Sequence, residues 1–240
     1  MSDLPAAVFF DMDGLLVDTE PLWTVAEKEV AARLGGEFTP EMKLAMIGHG
    51  IDTAVPLLVS MLGRPRSDEP EVAEFLLRRS VELFRQPGAI EPQPGAVELL
   101  AAVGAAGIPT ALVSSSYRAL VDAVVDVLGA DRFTVTLAGD EVDRRKPHPD
   151  PYLKAARMLD VNPAECVVLE DSLAGARAGV AAGCITVLVP SMTIPPQDTP
   201  EGLAAVAGSL REVDLALLSS LARGASTRTS TRKDTGAAND

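Results

Sequence analysis

The amino-acid sequence predicts an α/β fold, a doubly wound parallel sheet interrupted early by an inserted helical bundle. Three observations predict it. Short apolar runs, each long enough for one buried strand, recur at residues 6–10, 109–113, 133–137, 166–169 and 185–189. Helical stretches occupy 97–106 before the second run and 117–128, 150–159 and 173–182 after the second, third and fourth; such alternation calls for right-handed crossovers and a sheet covered on both faces. Between about residues 21 and 92 no strand pattern occurs, and leucine, valine, alanine and methionine recur there at helical spacing.

Taken in order, the run Ala6-Ala7-Val8-Phe9-Phe10 is the first strand, and the inserted unit comes directly after it. Leu22, Val25, Ala26, Glu29, Val30 and Leu34 fit one face of an amphipathic helix closed by Gly35-Gly36. Thr39-Pro40-Glu41 opens the next helix as an N-cap with proline at the first helical position. Prolines at 65, 70, 87, 92 and 94 divide the later part of the segment, so about four helices are expected, with Met42, Met46 and Met61 in their core. The expected boundaries are 1–18 and 93–222 for the sheet unit and 19–92 for the helical unit. Residues 223–240, rich in Ser, Thr, Arg and Ala without apolar periodicity, are expected to form a disordered tail.

Composition limits the function. With 47% hydrophobic and 23% charged residues in 240, the chain can bury a sizeable aliphatic core. A formal charge of −13 repels nucleic acid and anionic membranes, so a phosphate-bearing partner needs a local positive focus, which a metal ion can supply. Cys166 and Cys184 sit in apolar strand contexts without metal-ligand spacing and read as buried thiols in a reducing compartment. No basic leader and no membrane-length apolar run are seen, so a cytoplasmic location and no membrane partner are expected.

Four strand ends carry chemistry. Phe9-Phe10-Asp11-Met12-Asp13-Gly14 places two carboxylates directly after a buried strand, at the edge where open α/β sheets bind ligands. Like charges this close, against apolar walls, need a shared proton or a cation. Read alone, the segment could equally be an acidic turn on a solvated rim. A calcium loop fits less well, since the glycine is fourth rather than sixth and the twelfth residue is Leu22. Ser114-Ser115-Ser116 ends the second strand just before a helix and offers hydroxyls and N–H groups to an anion, or simply an N-cap. Arg144-Arg145-Lys146-Pro147-His148-Pro149-Asp150 is a proline-stiffened basic cluster in which Lys146 suits a phosphate clamp, while His148 reads as loop packing. Glu170-Asp171 ends the fourth strand with hard oxygen ligands suited to Mg²⁺.

As an ordered set, Asp11-Met12-Asp13-Gly14, Ser114, Lys146 in Lys146-Pro147-His148-Pro149-Asp150, and Glu170-Asp171 resemble the haloacid dehalogenase (HAD) superfamily. The resemblance spans roughly residues 6–190. It is to members with a helical cap after the first strand, such as sugar-phosphate phosphatases and beta-phosphoglucomutase. It implies a Rossmann-like core and a phosphatase with an aspartyl-phosphate intermediate. Asp11 is then the nucleophile and Asp13 the acid and base; Ser114, Ser115 and Lys146 hold the phosphoryl oxygens. Mg²⁺ is bound by Asp11, the carbonyl of Asp13 and Asp171, with Glu170 as ligand or support. Asp13 argues against dehalogenases and phosphonatases, which lack the second aspartate. The stretch Asp18-Thr19-Glu20-Pro21-Leu22-Trp23 lacks the early cap histidine of the mutases and is closer to sugar- or polyol-phosphate phosphatases. A mutase and a non-catalytic binding module of the same fold stay open as alternatives. The expected partner is a small phosphate ester, with a monomer favoured. Glu20, Trp23, His49 and the Arg78-Arg79 pair are candidates for reading the rest of the substrate, against core packing, a loop and a solvated helix face as their simpler roles.

Overall fold

All five apolar runs form strands of a single sheet, as residues hydrophobic on both faces require. The computed structural model describes residues 4–47, 49–193 and 196–234. In chain order its elements are β1 (Ala7–Phe10), β2 (Val17–Asp18), α1 (Glu20–Arg33), α2 (Pro40–Met46), α3 (Ile51–Met61), α4 (Glu69–Phe84), β3 (Glu91–Pro92), α5 (Ala96–Ala105), β4 (Thr110–Val113), α6 (Arg118–Leu128), β5 (Val135–Leu137), α7 (Asp150–Met158), β6 (Cys166–Glu170), α8 (Leu173–Ala181), β7 (Ile185–Leu188), β8 (Ala205–Val206) and α9 (Leu215–Asp234).

The main sheet has the order β5-β4-β1-β6-β7-β8 with parallel pairings, Phe10 lying opposite Leu112 on one side and Leu169 on the other. Alternation along each strand divides the core in two. Val8, Phe10, Leu112, Val167 and Leu169 face one apolar layer, while Ala7, Phe9, Ala111, Val113, Cys166 and Val168 face the other. Burying a side chain such as Phe10 or Leu112 completely contributes about 1.5–3 kcal/mol each, so these layers fix the register. Both cysteines are buried in the second layer, and burial pushes each thiol up to about 12. β8 and the short antiparallel pair β2–β3 are additions to the expected strands; two residues each carry no readable alternation.

The chain leaves and re-enters the sheet layer through β2–β3, where Val17 pairs with Pro92 and Asp18 with Glu91. Between them α1–α4 pack around their own apolar cluster of Ala26, Val30, Met46, Leu58, Val59 and Leu76. Thr39 caps α2 as expected, its side chain accepting from the Met42 N–H at 3.3 Å with Pro40 next in line. The buried face of α1 differs from the expected one: Ala26, Glu27, Val30 and Ala31 are buried while Val25 is 40% exposed. Glu27 can turn inward because Lys43 of α2 lies 3.2 Å from its carboxylate. Met42 and Met46 are core residues, but Met61 is 42% exposed at the end of α3.

The expected disordered tail begins inside α9, which continues to Asp234. Leu217, Leu221, Ala222 and Ala225 pack on the core, and a helix once nucleated there propagates into residues whose sequence lacks apolar periodicity. Residues 235–240 of that tail, and 1–3 of the sheet unit, lie outside the described residues. Among the described residues no helix is long and apolar enough to cross a membrane.

Candidate active site

Because β1, β4 and β6 run parallel and side by side, their C-terminal ends deliver Asp11, Ser114 and Glu170-Asp171 to one edge, flanking the central strand where the strand order reverses. Lys146 reaches the same place from the loop before α7; the Lys146–Pro147 bond is cis. Its side chain is 4% exposed, with the ammonium 2.5 Å from Asp11 Oδ1, 2.5 Å from Glu170 Oε1 and 2.8 Å from the Val113 carbonyl. Burial disfavours its charge, but the carboxylates of Asp11 and Glu170 outweigh that and hold its pKa above the usual lysine value. The site therefore keeps a permanent positive charge at neutral pH.

Asp13 occupies a different niche. Thr19 Oγ1 donates to its Oδ1 at 2.7 Å, and Ser116 and Ser114 hydroxyls donate to Oδ2 at 2.8 and 3.3 Å. Burial raises its pKa and these hydrogen bonds oppose the rise only in part, so this carboxyl holds a proton more readily than an ordinary aspartate. Asp11 is raised well above its usual value by burial first and then by the charge of Glu170. Asp171 is pushed up to about 7 by burial and by Glu170, although Ser191 Oγ donates to it at 2.7 Å.

Gly14 brings these groups together. Its φ of +89° makes the turn after Asp13, and a Cβ there would overlap the Asp171 carboxylate. Gly175 performs a similar service at the start of α8: a Cβ would run into the carboxylate of Glu170, which ends β6. Gly175→Ala is expected to destabilise the fold by about 1–3 kcal/mol through overpacking, read as a lower urea midpoint with an unchanged slope.

Oxygens of Asp11, Glu170 and Asp171 lie within 4.8 Å of one another, so three buried carboxylates face one ammonium. This surplus of negative charge fits a divalent cation. Within the set Glu170 is already occupied: fully buried, it accepts from Lys146 and the Tyr152 hydroxyl on Oε1 and from Ser172 Oγ at 3.2 Å on Oε2. Asp11 and Asp171 are the carboxylates better placed to serve a cation, with Glu170 supporting from behind.

The remaining expected residues are less central. Ser115 lies with its backbone against Gly139. Glu20, first in α1, has Oε2 2.5 Å from Lys43 Nζ, a contact close enough for an ion pair but without the alignment of a hydrogen bond. Trp23 packs edge-on against Phe84 at 5.8 Å where helical unit and sheet unit meet. His49 Nδ1 lies 2.9 Å from the Ala45 carbonyl, satisfying the end of α2. Arg79 forks onto Glu29 at 2.7 and 2.9 Å, and Arg78 pairs with Glu82 at 3.1 Å, both on the outside of the bundle. Thr19, Tyr152 and Ser191 contact the central carboxylates and were not singled out from sequence, while Ser116, which also does so, was named there only as part of the Ser114-Ser115-Ser116 anion seat. Nothing near Tyr152 signals a buried carboxylate partner.

Comparisons with known proteins identify the family. The family model described as haloacid dehalogenase-like hydrolase matches residues 5–183. Hexitol phosphatase A of Escherichia coli (strain K12) is 38% identical over 208 residues, covering 87% of this chain and 88% of that protein. Hexitol phosphatase B of the same strain is 34% identical over 187 residues, covering 77% and 83%. Among solved structures, CbbY from Rhodobacter sphaeroides in complex with phosphate superposes with a TM-score of 0.75 at 30% identity, covering 90% of this chain and 99% of that one.

Proposed function

The chain belongs to the haloacid dehalogenase-like hydrolases, and from that premise we propose that it is a Mg²⁺-dependent phosphatase acting on a small sugar or polyol phosphate through an aspartyl-phosphate on Asp11. The observation that carries the reading is the pairing of two aspartates in unlike surroundings. Asp11 is ion-paired to Lys146 and stands with a metal-suited carboxylate, while the nearby Asp13 is bound by hydroxyls alone. Such a difference separates a nucleophile from a proton carrier.

In this mechanism a carboxylate oxygen of Asp11 attacks phosphorus as the ester P–O bond breaks, and Asp13 gives its proton to the leaving oxygen. Asp13, now ionised, takes a proton from water whose oxygen attacks the same phosphorus. The Asp11–phosphorus bond breaks, phosphate is released, and both aspartates return to their starting states. Lys146, Ser114 and the backbone at Ser115 receive the phosphoryl oxygens, with Ser116 beside them. Glu170 holds Lys146 in place rather than touching substrate. Asp11, Asp171 and the Asp13 carbonyl would hold Mg²⁺, which would supply charge neutralisation for the approaching phosphate. Residues 19–92 act as a cap over the core formed by 1–18 and 93–222, and the location is cytoplasmic.

Hexitol phosphates head the substrate panel because two relatives carry that name. No histidine precedes His49, which favours water over a second sugar hydroxyl as acceptor. The test is phosphate release from hexitol, hexose and short-acid phosphates with Mg²⁺ and then with chelator. Chelator-sensitive release is expected, and isomer formation without phosphate release would replace the reading by a mutase.

A thermal readout accompanies it. The folded-state value of about 7 for Asp171 exceeds the ordinary aspartate value, so in chelator this group's stabilising contribution is present at low pH and lost as pH rises toward and through 7. A cation that replaces the proton should raise the melting temperature more at pH 8 than at pH 6. Equal shifts at both would remove Asp171 from the ligand set.

A further inference from the structure

The helical unit is tied to the sheet unit at a point none of the reactive groups occupies. Asp52, in the first turn of α3, has a carboxylate 54% exposed yet doubly engaged. Its Oδ1 accepts from the Tyr117 hydroxyl at 2.5 Å, and its Oδ2 lies 2.7 Å from Arg145 Nη1. Arg145 in turn lies over the Tyr117 ring, its guanidinium carbon 4.8 Å from the centroid, and its Nε donates to the Gly139 carbonyl at 2.9 Å. Gly50, the N-cap of α3, lies beside the guanidinium: a Cβ there would stand 3.7 Å from it, an ordinary van der Waals contact. The Tyr117 ring packs against the apolar cluster of α1–α4 although its backbone belongs to the N-cap of α6.

Position gives this triangle its meaning. Tyr117 is next to Ser116, whose hydroxyl bonds Asp13, and Arg145 precedes Lys146, which bonds Asp11. One carboxylate of the helical unit therefore grips two loops that each carry a group of the site. An exposed ion pair by itself is weak and screened by salt, but here it is joined by a phenol hydrogen bond and a cation–ring contact in one network. A joint of modest strength suits a unit that must release as well as cover.

We propose that Asp52, Tyr117 and Arg145 form a clasp that holds the helical unit closed over the site, with Asp52 and Tyr117 as positioning residues. That closure governs substrate affinity rests on the phosphatase reading; the clasp itself does not. If the closed state binds substrate, loosening it lowers apparent affinity by the fraction of closed molecules lost, and leaves the chemical step in the closed complex intact.

The test uses the full chain and the variants Asp52→Ala, Arg145→Ala and their combination. In Asp52→Ala, amide hydrogen exchange is expected to quicken about tenfold at 51–55 and 117–121, with β1 and β6 unchanged and the melting temperature nearly so. KM for the best phosphate ester is expected to rise about three- to tenfold, with kcat within about threefold, and the double variant is expected to be no worse than the worse single one. Exchange indistinguishable from wild type at both segments, or effects of the two substitutions that simply multiply, would overturn the clasp. Should the wild-type chain release phosphate from no ester, the phosphatase reading fails and the exchange measurement alone decides.

Discussion

Asp11→Asn is expected to lower phosphate release by about 10⁴-fold or more while leaving the fold intact. The amide keeps the shape of the side chain, so packing at this 7% exposed position is preserved, but its oxygen is a poor nucleophile and forms no stable acyl phosphate. Its effect on stability should have the opposite sign. Burial and the Glu170 charge both penalise ionised Asp11, and a neutral amide relieves that crowding while Lys146 keeps Glu170 as partner. Melting temperature in chelator should therefore be equal or higher than in the wild type. Phosphate release and thermal denaturation on the same samples check both halves. Comparable turnover in the variant would end the nucleophile assignment.

Lys146→Met has the largest expected effect on stability. The ammonium lies among Asp11, Glu170 and the Val113 carbonyl, and the Tyr152 ring centroid is 5.1 Å from it. Methionine fills similar volume but leaves two buried carboxylates without a counter-charge, a change that costs about 3–5 kcal/mol when one member of a buried pair is removed. The variant can lessen the cost by holding extra protons in the folded state. Without the lowering effect of Lys146 the Asp11 carboxyl, already raised by burial, rises further above its unfolded value, so the variant's stability is greatest at low pH and falls as pH rises. Urea denaturation at pH 5 and pH 8 should show a gap from wild type that widens at pH 8. Adding Glu170→Gln should recover part of the loss, because it removes one of the stranded charges. A gap that narrows with pH, or no recovery, would mean that Lys146 is not coupled to these carboxylates. Turnover should fall about 10³-fold, since the phosphoryl oxygens lose their fixed cation.

Much of this protein was legible in its sequence, and the legible parts share a cause. The runs at Ala7–Phe10, Thr110–Val113 and Cys166–Glu170 are apolar on both faces, which only a covered parallel sheet satisfies, and parallel strands send their following residues to one edge. Asp11, Ser114, Lys146, Glu170 and Asp171 could thus be placed together before any coordinates. Tertiary structure alone decided how they are used. Glu170 is engaged by Lys146, Tyr152 and Ser172, groups from different segments whose convergence leaves no trace in spacing. Glu27 is buried and Val25 exposed because a lysine of the next helix lies beside the acid. Trp23 meets Phe84, His49 serves the end of α2, and Asp52 meets Tyr117 and Arg145 across the two units. Sequence by itself determined the elements and the reactive edge, since periodicity and strand direction are properties of neighbouring residues. Which polar group pairs with which was decided only by the fold, because burial makes each charge seek a partner wherever packing brings one near, whatever its distance along the chain.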